Sequence, residues 1–219
     1  MSIWTFDTQR RVRVAACLAA TVFLSACMGE TGPFRFLDRP ETGAKVARDL
    51  PLYRGAVVVR APNGYCVDTA HVTRRPAATV VPLATCASLT DEGYAPVEPA
   101  LMTVSVLPER FGAEQPSAKE LAASLAPANV TVVEDGDGVA LVRVADGGQS
   151  RLPDGDPRYW RGAMEVNGHL VGLAVYGRRN SDLSGGAGRR LILDLAEALR
   201  EASMKPTLAQ AASLATEDE

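Results

Sequence analysis

The dipeptide Asn167-Gly168, flanked by the apolar-rich stretches 160–166 and 169–176, constrains this chain more than any other feature. Asn followed by Gly tolerates positive φ at both central positions of a type I′ turn, the turn whose twist matches two antiparallel strands. A two-residue loop there sets Val166 opposite His169, Met164 opposite Val171, Gly162 opposite Leu173 and Trp160 opposite Val175. Strand side chains alternate between faces. Trp160, Met164, Val166, Val171, Leu173 and Val175 therefore share one side, and Arg161, Glu165 and Tyr176 the other. One face is core and one is mixed, the pattern of an antiparallel sheet with a single fully packed side.

The rest of the chain supplies partners for that hairpin. Residues 56–60 form a β-branched run stopped by Pro62-Asn63-Gly64, and residues 65–68 continue extended. Residues 78–86 read as a partner strand, placed at an edge or on a bulge because Pro82 has no N–H to donate. Residues 102–107 are a cleaner strand ended by Pro108. Ser117 and Glu120 have capping-box spacing ahead of Leu121 and Leu125, which predicts a helix stopped by Pro127. Residues 130–133 and 139–144 flank Asp135-Gly136-Asp137-Gly138, a second hairpin. Leu191, Ile192, Leu195 and Leu199 repeat at helical spacing, which predicts a helix over 189–201 ended by Pro206. Strands arriving as hairpins with late helices indicate an α+β domain, an antiparallel β-sheet with about two helices packed on it. The order from residue 102 to 203 resembles that of PsbP/Mog1-like domains; the likeness implies a fold and no activity.

The N-terminus has a different character. Arg10, Arg11 and Arg13 precede an apolar run over 14–24, which meets Leu24-Ser25-Ala26-Cys27. That three-part layout is an export signal, and the run is too short to span a bilayer. Leu24-Ser25-Ala26-Cys27 resembles the lipobox of bacterial lipoproteins. The resemblance implies removal of residues 1–26 and acylation of Cys27, with several acyl chains making membrane attachment durable. In proteobacterial lipoproteins an Asp at the position after the cysteine resembles an inner-membrane retention signal, so the resemblance with Met28 in its place implies, in a cell with two membranes, the outer membrane, facing the periplasm. Residues 27–51 read as a tether rich in Gly, Pro and charge, residues 52–203 as one domain, and 204–219 as an acidic tail expected to be disordered. Phe34, Phe36 and Leu37 give the tether an apolar patch.

In such a compartment the cysteines can be apportioned. Cys17 leaves with the signal and Cys27 takes lipid, so Cys66 and Cys86 remain for a disulfide; two free thiols or a metal pair are the other readings. Loss of Asp7, Arg10, Arg11 and Arg13 with the signal moves the formal charge from −3 to −5. A mildly acidic chain is not a general nucleic-acid binder.

Little in the sequence carries chemistry. There is no Gly-x-Ser-x-Gly, and the two histidines are His71, near Asp68, and His169, beside a turn where a polar residue is tolerated. Asp68 with His71 would be the pair for a hydrolase. Asp135/Asp137 and Asp154/Asp156 lack the later ligands of a calcium loop and read as turns. The most distinctive set is Arg178 and Arg179, a glycine-rich loop, then Arg189 and Arg190 opening the last helix. Helix N-termini attract anions, so these four arginines are candidates for a phosphate or carboxylate, with Asp182 as the internal alternative. No cofactor or metal is expected. The leading expectation is a non-enzymatic module, held to a membrane through Cys27, that binds an envelope protein, glycan or lipid.

Overall fold

The structure, a computed structural model, describes residues 46–109 and 114–216, with side chains described as far as residue 204. The signal segment and Cys27 lie outside the described residues. Eleven strands are described: β1 (Val46–Ala47), β2 (Asp49–Leu52), β3 (Val57–Arg60), β4 (Tyr65–Asp68), β5 (Thr73–Arg74), β6 (Thr79–Thr85), β7 (Ala100–Val106), β8 (Val130–Gly136), β9 (Val139–Val144), β10 (Tyr159–Val166) and β11 (His169–Gly177). Three α-helices join them: α1 (Cys86–Leu89), α2 (Ala118–Ser124) and α3 (Gly186–Thr216). Nine strands form one antiparallel sheet in the order β1-β4-β6-β7-β11-β10-β9-β8, with β5 also paired to β6, while β2 and β3 form a separate ribbon. The fold is α+β.

The central hairpin has the register that Asn167-Gly168 dictates: Val166 faces His169, Met164 Val171, Gly162 Leu173 and Trp160 Val175. Asn167 and Gly168 both have positive φ, at 48° and 80°. The second hairpin turns at Asp137-Gly138, with φ of 52° and 68°. Ser117 caps α2 through a full capping box with Glu120, which satisfies two otherwise orphaned N–H groups.

The sheet is packed on both faces, where the sequence suggested one. On the first, Trp160, Met164, Leu173 and Val175 bury against Ile192, Leu195 and Leu199 of α3 and against Val57 and Val59 of the ribbon. On the second, Tyr159, Ala163, Ala174 and Tyr176 join Leu101, Ala140, Val142 and Leu152, with Leu121 and Leu125 of α2 packed over them. Tyr176 is buried because its ring stacks on that of Tyr159, centroids 4.9 Å apart. Fully burying a side chain of this size contributes about 2 kcal/mol.

Three other expectations are revised. Pairing starts inside the stretch assigned to the tether, since β1 and β2 occupy residues 46–52; β1 finds a partner in β4 and β2 in β3. β6 lies inside the sheet despite Pro82. Its far neighbour changes from β4, opposite Leu83, to β5, opposite Val80, and Pro82 sits at that break, where no ladder on that side is interrupted. α3 begins at Gly186 and runs past Pro206 to Thr216, so much of the supposed tail is helical; a proline removes one hydrogen bond, and the Ala-rich sequence beyond it has high helix propensity. At the far end Ser203, the last residue assigned to the domain, is a structural contact. Its Oγ accepts the Val58 N–H at 3.0 Å and donates to the Leu199 carbonyl at 2.7 Å. Asn167 Nδ2 donates to the Ala56 carbonyl at 2.8 Å, so ribbon, helix and hairpin tip are tied together.

Candidate functional site

The arginine-rich stretch lies where β11 leaves the sheet and α3 begins. Local structure there follows from a few short residues. The Asp156 N–H donates to the Gly177 carbonyl at 3.0 Å and the Arg179 N–H to the Asp154 carbonyl at 2.7 Å, which lays the loop before β10 along the end of β11. Asn180, at φ 66°, turns the chain. Ser181 Oγ accepts the Leu183 N–H and caps a short 3-10 turn, Asp182–Ser184. Trp160 Nε1 donates to the Gly185 carbonyl at 2.9 Å, which ties the start of α3 to the central hairpin.

The four arginines do not converge. Arg189 reaches across the sheet to β8 and forks onto Glu134, Nε to Oε2 at 3.0 Å and Nη2 to Oε1. The shared hydrogen bonds raise the Arg189 pKa and lower that of Glu134. Arg178 and Arg179 are exposed on the turn. Arg190 alone of the four lines a cleft of about 660 Å³ beside the first turn of α3, opposite Arg158. Arg189 and Arg190 sit inside the first turns of α3, not at its opening, because the helix starts at Gly186. Two guanidiniums on one cleft can hold a carboxylate or phosphate; Asp182 lines the same cleft and offers them an internal counter-charge.

Arg158 was invisible in the sequence because its partner, Asp156, read as half of an acidic pair. Asp156 has Arg158 as its main partner, with Ser184 as a second. It is buried, and its carboxylate accepts from Arg158 N at 2.9 Å, Nε at 3.0 Å and Nη2 at 2.9 Å. The Arg158 side-chain hydrogen bonds hold its pKa below the usual carboxylate value, against the opposing effect of burial. A carboxylate whose folded-state pKa is depressed stabilises the fold above its unfolded value of about 3.9, and the contribution disappears as pH falls through the lower, folded value. Urea midpoints measured from about pH 5 down to pH 2 should therefore fall more steeply in the wild type than in Asp156→Asn. Parallel curves would mean the carboxylate is not held by Arg158.

The other candidates have local roles. Asp135 Oδ1 accepts the Ala118 N–H at 2.7 Å at the start of α2, and Asp137 occupies a left-handed turn position, as does Asp154. Among the described residues no group of three or more His, Cys, Asp or Glu side chains is placed to hold a metal ion. The structure does bring Asp68 and His71 together, with His71 Nδ1 2.6 Å from Asp68 Oδ2. Asp68 is 3% exposed and His71 60%, and Asp68 Oδ1 also accepts the N–H groups of Ala70 and His71. A buried carboxylate orienting an exposed imidazole is half of a hydrolytic set, but this one caps a 3-10 turn, Thr69–His71. Neither residue lines the cleft beside α3 or the groove under α2. His169 is buried rather than tolerated at a turn. Its Nδ1 is 2.8 Å from the Leu107 carbonyl and its ring stacks on Tyr53 at 4.4 Å, because position 169 faces the α3 side of the sheet.

One concavity the sequence did not announce is a groove of about 580 Å³ between α2 and the sheet, with Leu107, Leu121, Leu125 and Leu170 along it and Arg161, Glu114 and Glu120 on its rim. Its signal was present in Leu121 and Leu125 one helical turn apart, opposite the small residues Ala163 and Gly172. No helix among the described residues is long and apolar enough to cross a membrane. Comparison with protein-family models, with curated proteins and with solved structures finds no match to this chain.

Proposed function

We propose that this chain is a lipid-anchored envelope lipoprotein whose α+β domain binds or scaffolds another component of the envelope. Residues 1–26 direct export and are removed, and Cys27 carries the acyl chains. The stretch from Cys27 to Val46 then serves as the tether, spanning up to about 60 Å when extended. The observation that carries this reading is the pairing of Cys66 with Cys86 inside the domain. Both residues are buried, and a structural disulfide belongs to an oxidising compartment, which is where the lipobox resemblance sends the chain. Binding is favoured over catalysis because the polar groups best suited to chemistry have structural partners: Asp68 caps a turn, Asp156 holds Arg158 and Glu134 holds Arg189.

Mass spectrometry of the protein isolated from membranes tests the anchor. The expected species begins at Cys27 and carries added acyl mass, and Cys27→Ser abolishes both the modification and membrane retention. A bare sulfur at position 27, or an N-terminus that still includes residues 1–26, would overturn the reading.

A further inference from the structure

The two ends of the nine-stranded sheet are built differently. β1, at one end, is two residues long, a short edge with little to offer another strand. β8, at the other, has seven residues, and among the described residues no strand pairs with its outer side. The turn at Asp137-Gly138 decides which backbone groups of β8 look outward. Gly136 pairs with Val139 next to the turn and Glu134 with Leu141, and such pairs, alternating along an antiparallel ladder, exchange both hydrogen bonds with β9. The N–H and C=O groups of the alternate residues, Asp135 between those two and Val133 on the far side of Glu134, point away from the sheet.

Charged residues ordinarily guard an open edge. Here both carboxylates of β8 are engaged within the domain, Glu134 by Arg189 and Asp135 by the Ala118 N–H. Val133, between Val132 and Glu134, is 51% exposed, one of the few large apolar side chains so placed among the described residues.

We propose that β8 pairs antiparallel with β8 of a second copy of this chain, about a two-fold axis through Val133, joining two sheets into one. The strand is self-complementary in that register. Val133 lies opposite the partner's Val133, and the outward groups of both exchange hydrogen bonds. Glu134 lies opposite the partner's Val132 and Asp135 comes to the partner's Thr131, where the ladder of β8 with β9 carries a bulge, so the regular self-pairing centres on Val132 to Glu134 and no carboxylate faces another. A slide of one step toward the turn would set Glu134 against the partner's Glu134, and like charges directly opposite are unfavourable. α2 packs across β8, β9 and β10. With strands about 4.8 Å apart, two copies of α2 centred over β9 stand about 14 Å apart, wider than packed helices need. The contact is isologous and closes on itself, so it yields a dimer and not a filament. It does not depend on where the chain resides.

Cross-linking and sedimentation of the full chain, in detergent, test this. In a chain carrying Cys17→Ser and Cys27→Ser, Val133→Cys should form an interchain disulfide on mild oxidation, because Cα atoms of such a pair are about 5.5 Å apart, while the parent chain and its Asp91→Cys variant, altered on an exposed loop, should not. Val133→Lys places two ammonium groups at the axis and should weaken the dimer at least about tenfold, with an unchanged far-ultraviolet spectrum because its ladder with β9 is intact. A wild-type chain that sediments as a monomer up to about 100 μM, equal cross-linking of Val133→Cys and Asp91→Cys, or a dimer indifferent to Val133→Lys would overturn the proposal.

Discussion

Gly188→Ala is expected to disrupt the start of α3 and to cost the domain at least about 3 kcal/mol, the upper range for overpacking a closed site. A Cβ at position 188 would lie 1.8 Å from the Leu183 carbonyl oxygen and 2.8 Å from Trp160 Cδ1. Neither neighbour can give way cheaply. Leu183 sits in the 3-10 turn capped by Ser181, and the Trp160 indole is fixed to the Gly185 carbonyl. The measurement is the urea midpoint, with Gly186→Ala as the control, since its Cβ would meet only the Arg190 side chain, at 3.7 Å. An exposed Gly→Ala change inside a helix should be neutral or stabilising by less than about 1 kcal/mol. Equal midpoints for the two variants would show that α3 does not approach Leu183 so closely.

Removing the disulfide has a comparable effect by a different route. Cys66 and Cys86 are 20 residues apart in sequence, and cross-linking a loop of that length restricts the unfolded chain by about 3 kcal/mol. Cys66→Ala with Cys86→Ala should lower stability by about that amount. The wild type should fall to the same level when reductant is added, and the double variant should not respond to reductant at all. A wild type whose unfolding ignores reductant would mean that the two sulfurs are not joined in the isolated protein.

The parts of the fold legible in the sequence are those whose cause is local. Asn167-Gly168 fixed the pairing of β10 with β11 residue for residue because a two-residue turn leaves no freedom in register. Ser117 and Glu120 marked the start of α2 because both partners of the capping box lie within one turn. What sequence did not reveal depends on residues far apart in the chain. Pro82 suggested an edge strand, and only the succession of β4 and β5 along β6 makes it acceptable inside the sheet. Tyr176 alternated onto a face that looked mixed, and its burial depends on Tyr159 and on the helix that covers both.

The candidate site was less legible, for the same reason. Four arginines close in sequence suggested one cluster, yet Arg189 turns to Glu134, 55 residues earlier, while Arg190 joins Arg158. A helix rotates successive residues by about 100°, so neighbours such as Arg189 and Arg190 address different surroundings. Asp68 and His71 were close enough in sequence to be paired on spacing alone, and they are paired; the depth at which the carboxylate sits could not be foreseen.

The strand order has a consequence for how the chain reaches its fold. β1, β4, β6 and β7 all lie on one side of the β7–β11 seam, and β10, β9 and β8 on the other. Pairings within each half join strands close in the chain, even where others intervene as between β1 and β4, and such local contacts close quickly. The seam joins residue 106 to residue 171 and residue 100 to residue 177, a slow long-range closure. Until β11 is made, β7 carries an open flank next to a half-formed core. The newly synthesised chain is thus most exposed to misassociation along β7.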